Sequence, residues 1–430
     1  MYPLLALTAL CALAVTSVGS VEVSLQELLV EARTANPLLR AQDATVTARA
    51  LSVGPAGALE DPMVLLQLWN APADLGSLPV MLEVTQPILL GGKRQARRAA
   101  ATAAARLARA ERRGQGQALE LAVVQAWADI WLAEQSLAVN AQLAASLTAL
   151  RLGAAARVAG GVGDTAEVLR AELETVALES SDAEMQALRR GSQGRLLGLL
   201  DRPLEDRLAP LRGPEILLVL PSESALQVEA QTQRPEVLRA AAEVEGAVAA
   251  EQLAAAAGVP DIAPRLGLMH TFRNTTGPSN FLFLGLQGTL PVWRQSKVQP
   301  LRAAAAAQGH AATHSEQGMR RRIAAEVTMA YAQVEAQAAA VSAHVRMVPQ
   351  AQELLDNALA SFVTGRGKFA AVLEAARSLQ QHALDRLRHL AAYATGLAVL
   401  DLAVGASPGL AGQVDQASFD AVQSPQPAGR

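Results

Sequence analysis

Apolar residues recur at helical spacing along most of this chain, and in two separated places they alternate instead. Leu25 to Ala32 forms a short amphipathic pattern with Ser24 placed to cap it. Asn36-Pro37 opens a second helical pattern to about Ala58, proline being tolerated in a first turn. After Asp61-Pro62 the period drops to two. Residues 63–69 and 80–86 read as strands joined by a loop containing Pro, Gly and Asp. In the second run Val80, Leu82 and Val84 face one way while Met81, Glu83 and Thr85 face the other. A soluble sheet gives that alternation, and so does a barrel with lipid outside and water inside. Gln86, Pro87 and Gly91-Gly92-Lys93 then lead into a helical pattern, 92–160, that holds no proline. Its length corresponds to ~100 Å at 1.5 Å per residue.

The programme then turns and restarts. A return helix is predicted over 165–200, and Pro203, Pro210, Pro214 and Pro221 mark a connector over 201–233. A second unit, 234–403, opens a helix at Arg234-Pro235. It places strands within 264–290, a long helix over 294–363 and a return helix over 368–403. The turn Gly161-Val-Gly163-Asp164 answers Gly365-Arg366-Gly367-Lys368, and Pro87 answers Pro291, each at a displacement of 204 residues. Paired glycines suit a tight reversal between helices, since glycine reaches positive φ at little cost. An ordinary helical hairpin would use the same turn; its duplication in register makes 21–200 and 234–403 two structural repeats. Each return helix is too short to cover its long partner. Adding the helix before the strands supplies the missing length, so each half reads as a rod.

Composition narrows the possibilities. The chain is 51% hydrophobic but only 3% aromatic, and a formal charge of −3 gives no case for nucleic acid. The basic run from Lys93 to Arg113 fits a solvated helix face. Cys11 is the only cysteine, which excludes disulfides and cysteine-based zinc sites for a mature chain. It lies in an apolar run over 3–18 that, followed by Val18-Gly19-Ser20, is expected to be a signal peptide over 1–20. Leu10 stands where a lipidated cysteine would need a small residue before it. No later stretch reads as a transmembrane helix, so entry into a membrane would fall to strands. Four strands cannot close a barrel, and a lone hairpin is unstable in water. Three copies would supply about 12 strands, enough for a lumen. Residues 404–430 are expected to be a flexible tail.

In Asn36-Pro37, Thr85-Gln-Pro-Ile-Leu-Leu-Gly-Gly-Lys-Arg94, Leu290-Pro-Val-Trp-Arg294 and Val348-Pro-Gln-Ala-Gln352, the chain resembles the TolC-like outer membrane factors. Phe362-Val-Thr-Gly365 and Val372-Leu-Glu-Ala375 extend the match, which is nearest to the CzcC-like heavy-metal efflux branch. The resemblance covers about residues 23–405. It implies a mainly helical homotrimer in the bacterial outer membrane: duplicated helical hairpins forming an α-barrel, continued by a 12-stranded transmembrane β-barrel. It also implies a periplasmic adaptor, an inner-membrane pump of the resistance-nodulation-division type, and heavy-metal export as function, with multidrug efflux or type I protein secretion as alternatives. A soluble coiled-coil scaffold is the rival of a different class.

The sequence shows no glycine-rich phosphate loop, cysteine–histidine cluster or nucleophile–base pairing, and it is read as a conduit without a cofactor. The resemblance places adaptor docking and gating at the repeat turns, with Arg157, Gly161, Gly163, Asp164, Gly365, Arg366, Gly367 and Lys368 as candidates. Solvation at a loop tip explains those charges equally well. His310 and His314, four apart, could share a metal or line a solvated face. Gln86, Pro87, Gly91, Gly92, Lys93, Pro291 and Trp293 are assigned to the strand-to-helix junctions.

Overall fold

The computed structural model describes residues 23–68, 79–161, 163–214, 220–271, 279–364 and 366–407. The expected signal segment, Trp69, Phe272, Gly365 and most of the expected tail lie outside those residues.

Helix α1 (Leu25–Ala35) begins with a capping box in which Ser24 and Glu27 satisfy each other's backbone N–H groups. Helix α2 (Pro37–Ala56) is capped by Asn36, whose Oδ1 accepts from the N–H groups of Leu38 and Leu39. Strands β1 (Met63–Leu68) and β2 (Val80–Thr85) precede α3 (Lys93–Ala159), a single helix of 67 residues. Its glycines at 114, 116 and 153 do not interrupt it. Helix α4 (Thr165–Leu199) returns beside it. The second unit repeats the order with α6 (Pro235–Ala256), β3 (Ile262–His270), β4 (Asn280–Gly288), α7 (Gln299–Val363) and α8 (Phe369–Val404).

Four details depart from the sequence reading. The connector contains a helix, α5 (Glu223–Gln233), because no proline follows Pro221 until Pro235 and Leu226 and Ala230 find a buried face. The second hairpin starts at Ile262, two residues before Pro264, because Ile262 pairs with both Gly288 and Ile88. The second long helix starts at Gln299, after a π-helical turn over Arg294–Val298. Finally, α8 is long and apolar enough to cross a bilayer, yet it spends that apolarity on the core through Tyr393, Leu397 and Leu400.

The shorter helices join end to end along their long partners. Asn36 donates from Nδ2 to the carbonyl of Leu199 at 3.1 Å, tying the start of α2 to the end of α4. In the second unit, buried Arg234 donates to the carbonyl of Ala403 at 3.4 Å, tying α6 to α8. Arg234 also holds Glu236 at 3.0 Å and Glu326 at 2.5 Å. The main core gathers where α1, α3, α5, α7 and α8 meet, around Leu28, Trp127, Ile130, Ile323, Val327, Tyr393 and Leu397. A second core near the far turns is built by Leu147, Leu150, Leu355, Phe369 and Val372.

Candidate functional site

The four strands form one antiparallel sheet in the order β1-β2-β3-β4, so the two repeats join at the β2–β3 seam. The register aligns the period-two pattern across all four strands. Val64, Val84, Leu266 and Leu284 form one row, and Leu66, Leu82, Leu268 and Leu282 the next. All eight side chains are exposed in the protomer. The opposite face carries Gln67, Glu83, Thr85, Arg265 and Gln287, interleaved with Met81, Met269, Phe281 and Phe283. There Arg265 grips Glu83 through two nitrogens, each at 2.5 Å, and Thr85 donates to Glu83 at 2.8 Å. Phe283 lies over Gly267, its cross-strand partner, filling the space a side chain would need. Among the described residues, the outer edges of β1 and β4 have no strand partner.

The junction between strands and rods is tightly fixed. Gly91 and Gly92 take φ of +67° and +79°, and a Cβ on Gly91 would sit 2.8 Å from Val259. Lys93 donates to the Val259 carbonyl at 2.8 Å and to both Asp261 carboxylate oxygens at 2.7 Å. Asp261 also accepts from the Leu90 N–H at 3.0 Å, so one carboxylate stitches the two repeats together. Gln86 donates to the carbonyls of Glu60 and Pro87. Pro291 leads to Trp293, which is 70% exposed beside Leu290 and Val292. Leu290, Pro291 and Trp293 border an open groove of about 600 Å³ that Lys93, Arg97 and Lys297 also line.

At the far end, the two repeat turns share one geometry. A Cβ on Gly163 would lie 2.6 Å from the Val158 nitrogen, and one on Gly367 would lie 2.8 Å from the Phe362 nitrogen. Val158 and Phe362 are themselves 204 residues apart, so glycine answers the same backbone approach in both turns. Gly161 takes φ of +76°. Asp164 caps α4 by accepting from the Ala166 N–H at 2.9 Å, whereas Lys368 starts α8 without a side-chain cap. Arg366 and Lys368 are exposed. Arg157, at the end of α3, places its guanidinium 4.8 Å from the centre of the Phe362 ring on α7. Phe362 meets Phe369 edge to face at 5.9 Å. Farther up, Arg377 of α8 pairs with Glu174 of α4.

His310 and His314 are exposed on α7. Among the described residues, no three His, Cys, Asp or Glu side chains are disposed to hold a metal ion. Sequence reasoning did not find the Glu83–Arg265 pair or the role of Asp261, since period-two alternation gives faces and not partners.

A mainly helical chain with a four-stranded antiparallel sheet at one end and duplicated long-helix hairpins has the fold of outer-membrane channel subunits. The structure superimposes on the outer-membrane channel OprN with a TM-score of 0.78, at 17% identity over 89% of this chain and 90% of that one. The structure of CusC, described in terms of transmembrane channel formation, matches with a TM-score of 0.76 at 17% identity, covering 90% and 93%. The MtrE outer membrane channel of Neisseria gonorrhoeae in its open state matches with a TM-score of 0.76 at 19% identity, covering 89% of each chain. No family model and no curated protein sequence matches the chain.

Proposed function

We propose that this chain is the outer-membrane channel subunit of a tripartite efflux system: a passive, non-enzymatic conduit that works as a homotrimer. The sheet carries this reading. Its two continuous apolar rows lie on one face, Gln67, Glu83, Arg265 and Gln287 lie on the other, and among the described residues neither edge strand is paired on its outer side. In a bilayer every backbone polar group must be paired, which only a helix or a closed barrel achieves. Edge-to-edge joining of three copies removes all free edges and gives 12 strands around a lumen. The rods join in the same way. Leu169, Leu173 and Val176 lie exposed along one face of α4, and Leu354 and Val363 lie exposed on α7, as surfaces for neighbouring copies. The α-barrel would then extend into the periplasm.

The repeat turns form the periplasmic mouth in this reading. Arg366 and Lys368 meet a periplasmic adaptor there, Arg157 and Phe362 clasp the two hairpin tips together, and an inner-membrane pump of the resistance-nodulation-division type supplies the energy. The cargo is heavy-metal cations, following the resemblance to the CzcC-like branch. Exposed cationic groups at the mouth oppose free entry of cations, so this cargo requires compensation from Asp164 or from the adaptor. A deletion strain tests function and cargo together. Hypersensitivity to zinc, cobalt or copper is expected, with unchanged antibiotic tolerance; the reverse pattern makes it a drug channel, and recovery of the protein in the cytosol contradicts any channel.

A further inference from the structure

A cluster of three imidazoles lies between α7 and α8, well above the turn. His344 of α7 stacks on His389 of α8 with ring centres 5.3 Å apart, and its ring is 5.5 Å from that of His382. Nδ1 of His344 and Nδ1 of His382 are both shielded from solvent without a hydrogen-bond partner. His389 contacts Gln337 Oε1 at 2.8 Å through its own Nδ1. In these positions the rings face one another and do not converge on a metal ion, so the chemistry they offer is protonation.

Two further observations give that chemistry a mechanical setting. Pro349 lies inside α7 and has no N–H, so the carbonyl of Val345, next to His344, loses its intrahelical donor. Kinks in long helices concentrate at such prolines. The first repeat supplies the contrast. At the displacement of 204 residues, His344, His382, His389 and Pro349 correspond to Asn140, Leu178, Met185 and Ala145. Asn140 is fully buried in fixed hydrogen bonds to Ser181, Asp182 and Gln380, and Leu178 is core. At these positions the first hairpin therefore holds neither proline nor imidazole, where the second has a proline-weakened helix whose own His344 meets two imidazoles of α8.

We propose that His344, His382 and His389 form a proton-operated joint that loosens the distal part of the α7–α8 hairpin, residues 350–381, relative to the first hairpin when the surroundings turn acidic. With one imidazole 5.3 Å and another 5.5 Å from its own ring, His344 cannot carry charge beside charged neighbours without repulsion. The groups whose charge acts on His344 are His389, Asp385 and His382, all from α8, and Asp385 is already engaged by Arg388 at 2.9 Å. From α7 the neutral Gln337 meets His389. Burial first, then the His389 and His382 imidazoles, hold His344 below its ordinary value near 6.5, with Asp385 opposing. The unfolded arrangement thus takes up protons before the packed one. Packing around a neutral His344 is present above its ordinary value near 6.5 and is lost as pH falls below it.

The test is amide hydrogen exchange on the full chain in detergent, at pH 7.5 and 5.5, following 350–381 against the equivalent segment 146–177 as internal reference. This readout does not depend on channel activity, so it can fail while the efflux reading stands. The wild type is expected to lose protection several-fold in 350–381 relative to 146–177 at pH 5.5. The variant H344N/H382L/H389M, which writes the first repeat's residues into the second, is expected to lose none. If it disturbs the core around Trp127, the single H344N serves in its place, and at least half of the response should disappear. Equal loss in variant and wild type, or no loss in the wild type, overturns the joint.

Discussion

Arg265 of β3 holds Glu83 of β2 through both a terminal and the ε nitrogen, each at 2.5 Å, across 182 positions of sequence. The pair sits on the face opposite the apolar rows, at the seam where the two repeats meet. Removing either partner leaves the other charged and unmatched beside hydrophobic neighbours, while exchanging them keeps the attraction. E83Q and R265Q are each expected to lower the fraction of folded trimer in unheated gels, and the swap E83R/R265E to restore a large part of it. Additive losses in the swap would show that the pair does not staple the seam.

Asn36 performs two tasks at once, capping α2 and tying it to α4 through the Leu199 carbonyl. Loss of such a cap costs about 1–2 kcal/mol. N36A should lower the thermal midpoint of the helical circular dichroism signal, whereas N36D, which keeps the cap and loses the Nδ2 donor, should fall less. In the second repeat, R234A removes one of two arginine partners of Glu326, Arg322 remaining at 3.4 Å, and takes away the bonds that buried Arg234 makes to Glu236 and the Ala403 carbonyl. Its drop in midpoint should exceed that of N36A.

The mouth separates turn shape from surface charge. Charge reversal in R366E/K368E should weaken adaptor crosslinking and efflux while the yield of trimer stays at the wild-type level. Unchanged efflux would count against docking at these residues.

Phe362 offers its ring to Arg157, a contact worth about 0.5–1 kcal/mol at exposed sites. F362L keeps apolar volume and deletes that attraction, so in planar bilayers it should raise the conductance of the resting channel. R157Q should do the same, and the double variant should add little to either. Fully additive effects would mean that the two residues act separately.

Asp129 on α3 is held above the usual carboxylate range chiefly by burial, against the pull of Ser192 and Arg195. A carboxyl raised in the folded state binds protons more tightly there than in the unfolded chain, so it destabilises the fold increasingly as pH rises above its ordinary value near 3.8. D129N should therefore raise the thermal midpoint at pH 7 and leave it nearly unchanged at pH 4. A lower midpoint at pH 7 would show that the charge is needed.

Much of the architecture was legible because duplication left a constant offset: Pro87 to Pro291 and Gly163 to Gly367 fix equal lengths for both long helices. The far turns were legible for the same reason, since glycine is required where each return helix crosses the backbone of Val158 or Phe362. Pairing was not. Nothing local in β2 says that its second neighbour is β3, so the Glu83–Arg265 and Lys93–Asp261 links emerge only from the closed sheet. The α5 helix was masked by the four prolines before it. His382 and His389 could be placed on one face from spacing alone, but His344 joins them only through the antiparallel register of α7 on α8. The pair His310 and His314, at closer spacing, lies exposed on α7 instead.

The most direct measurement is the native mass of the detergent-extracted protein, taken together with its solubility once detergent is withdrawn. Three chains per particle, lost to precipitation without detergent, are expected of protomers whose sheet edges and apolar rows need neighbours and lipid. A single chain that stays monodisperse in plain buffer would contradict the whole account.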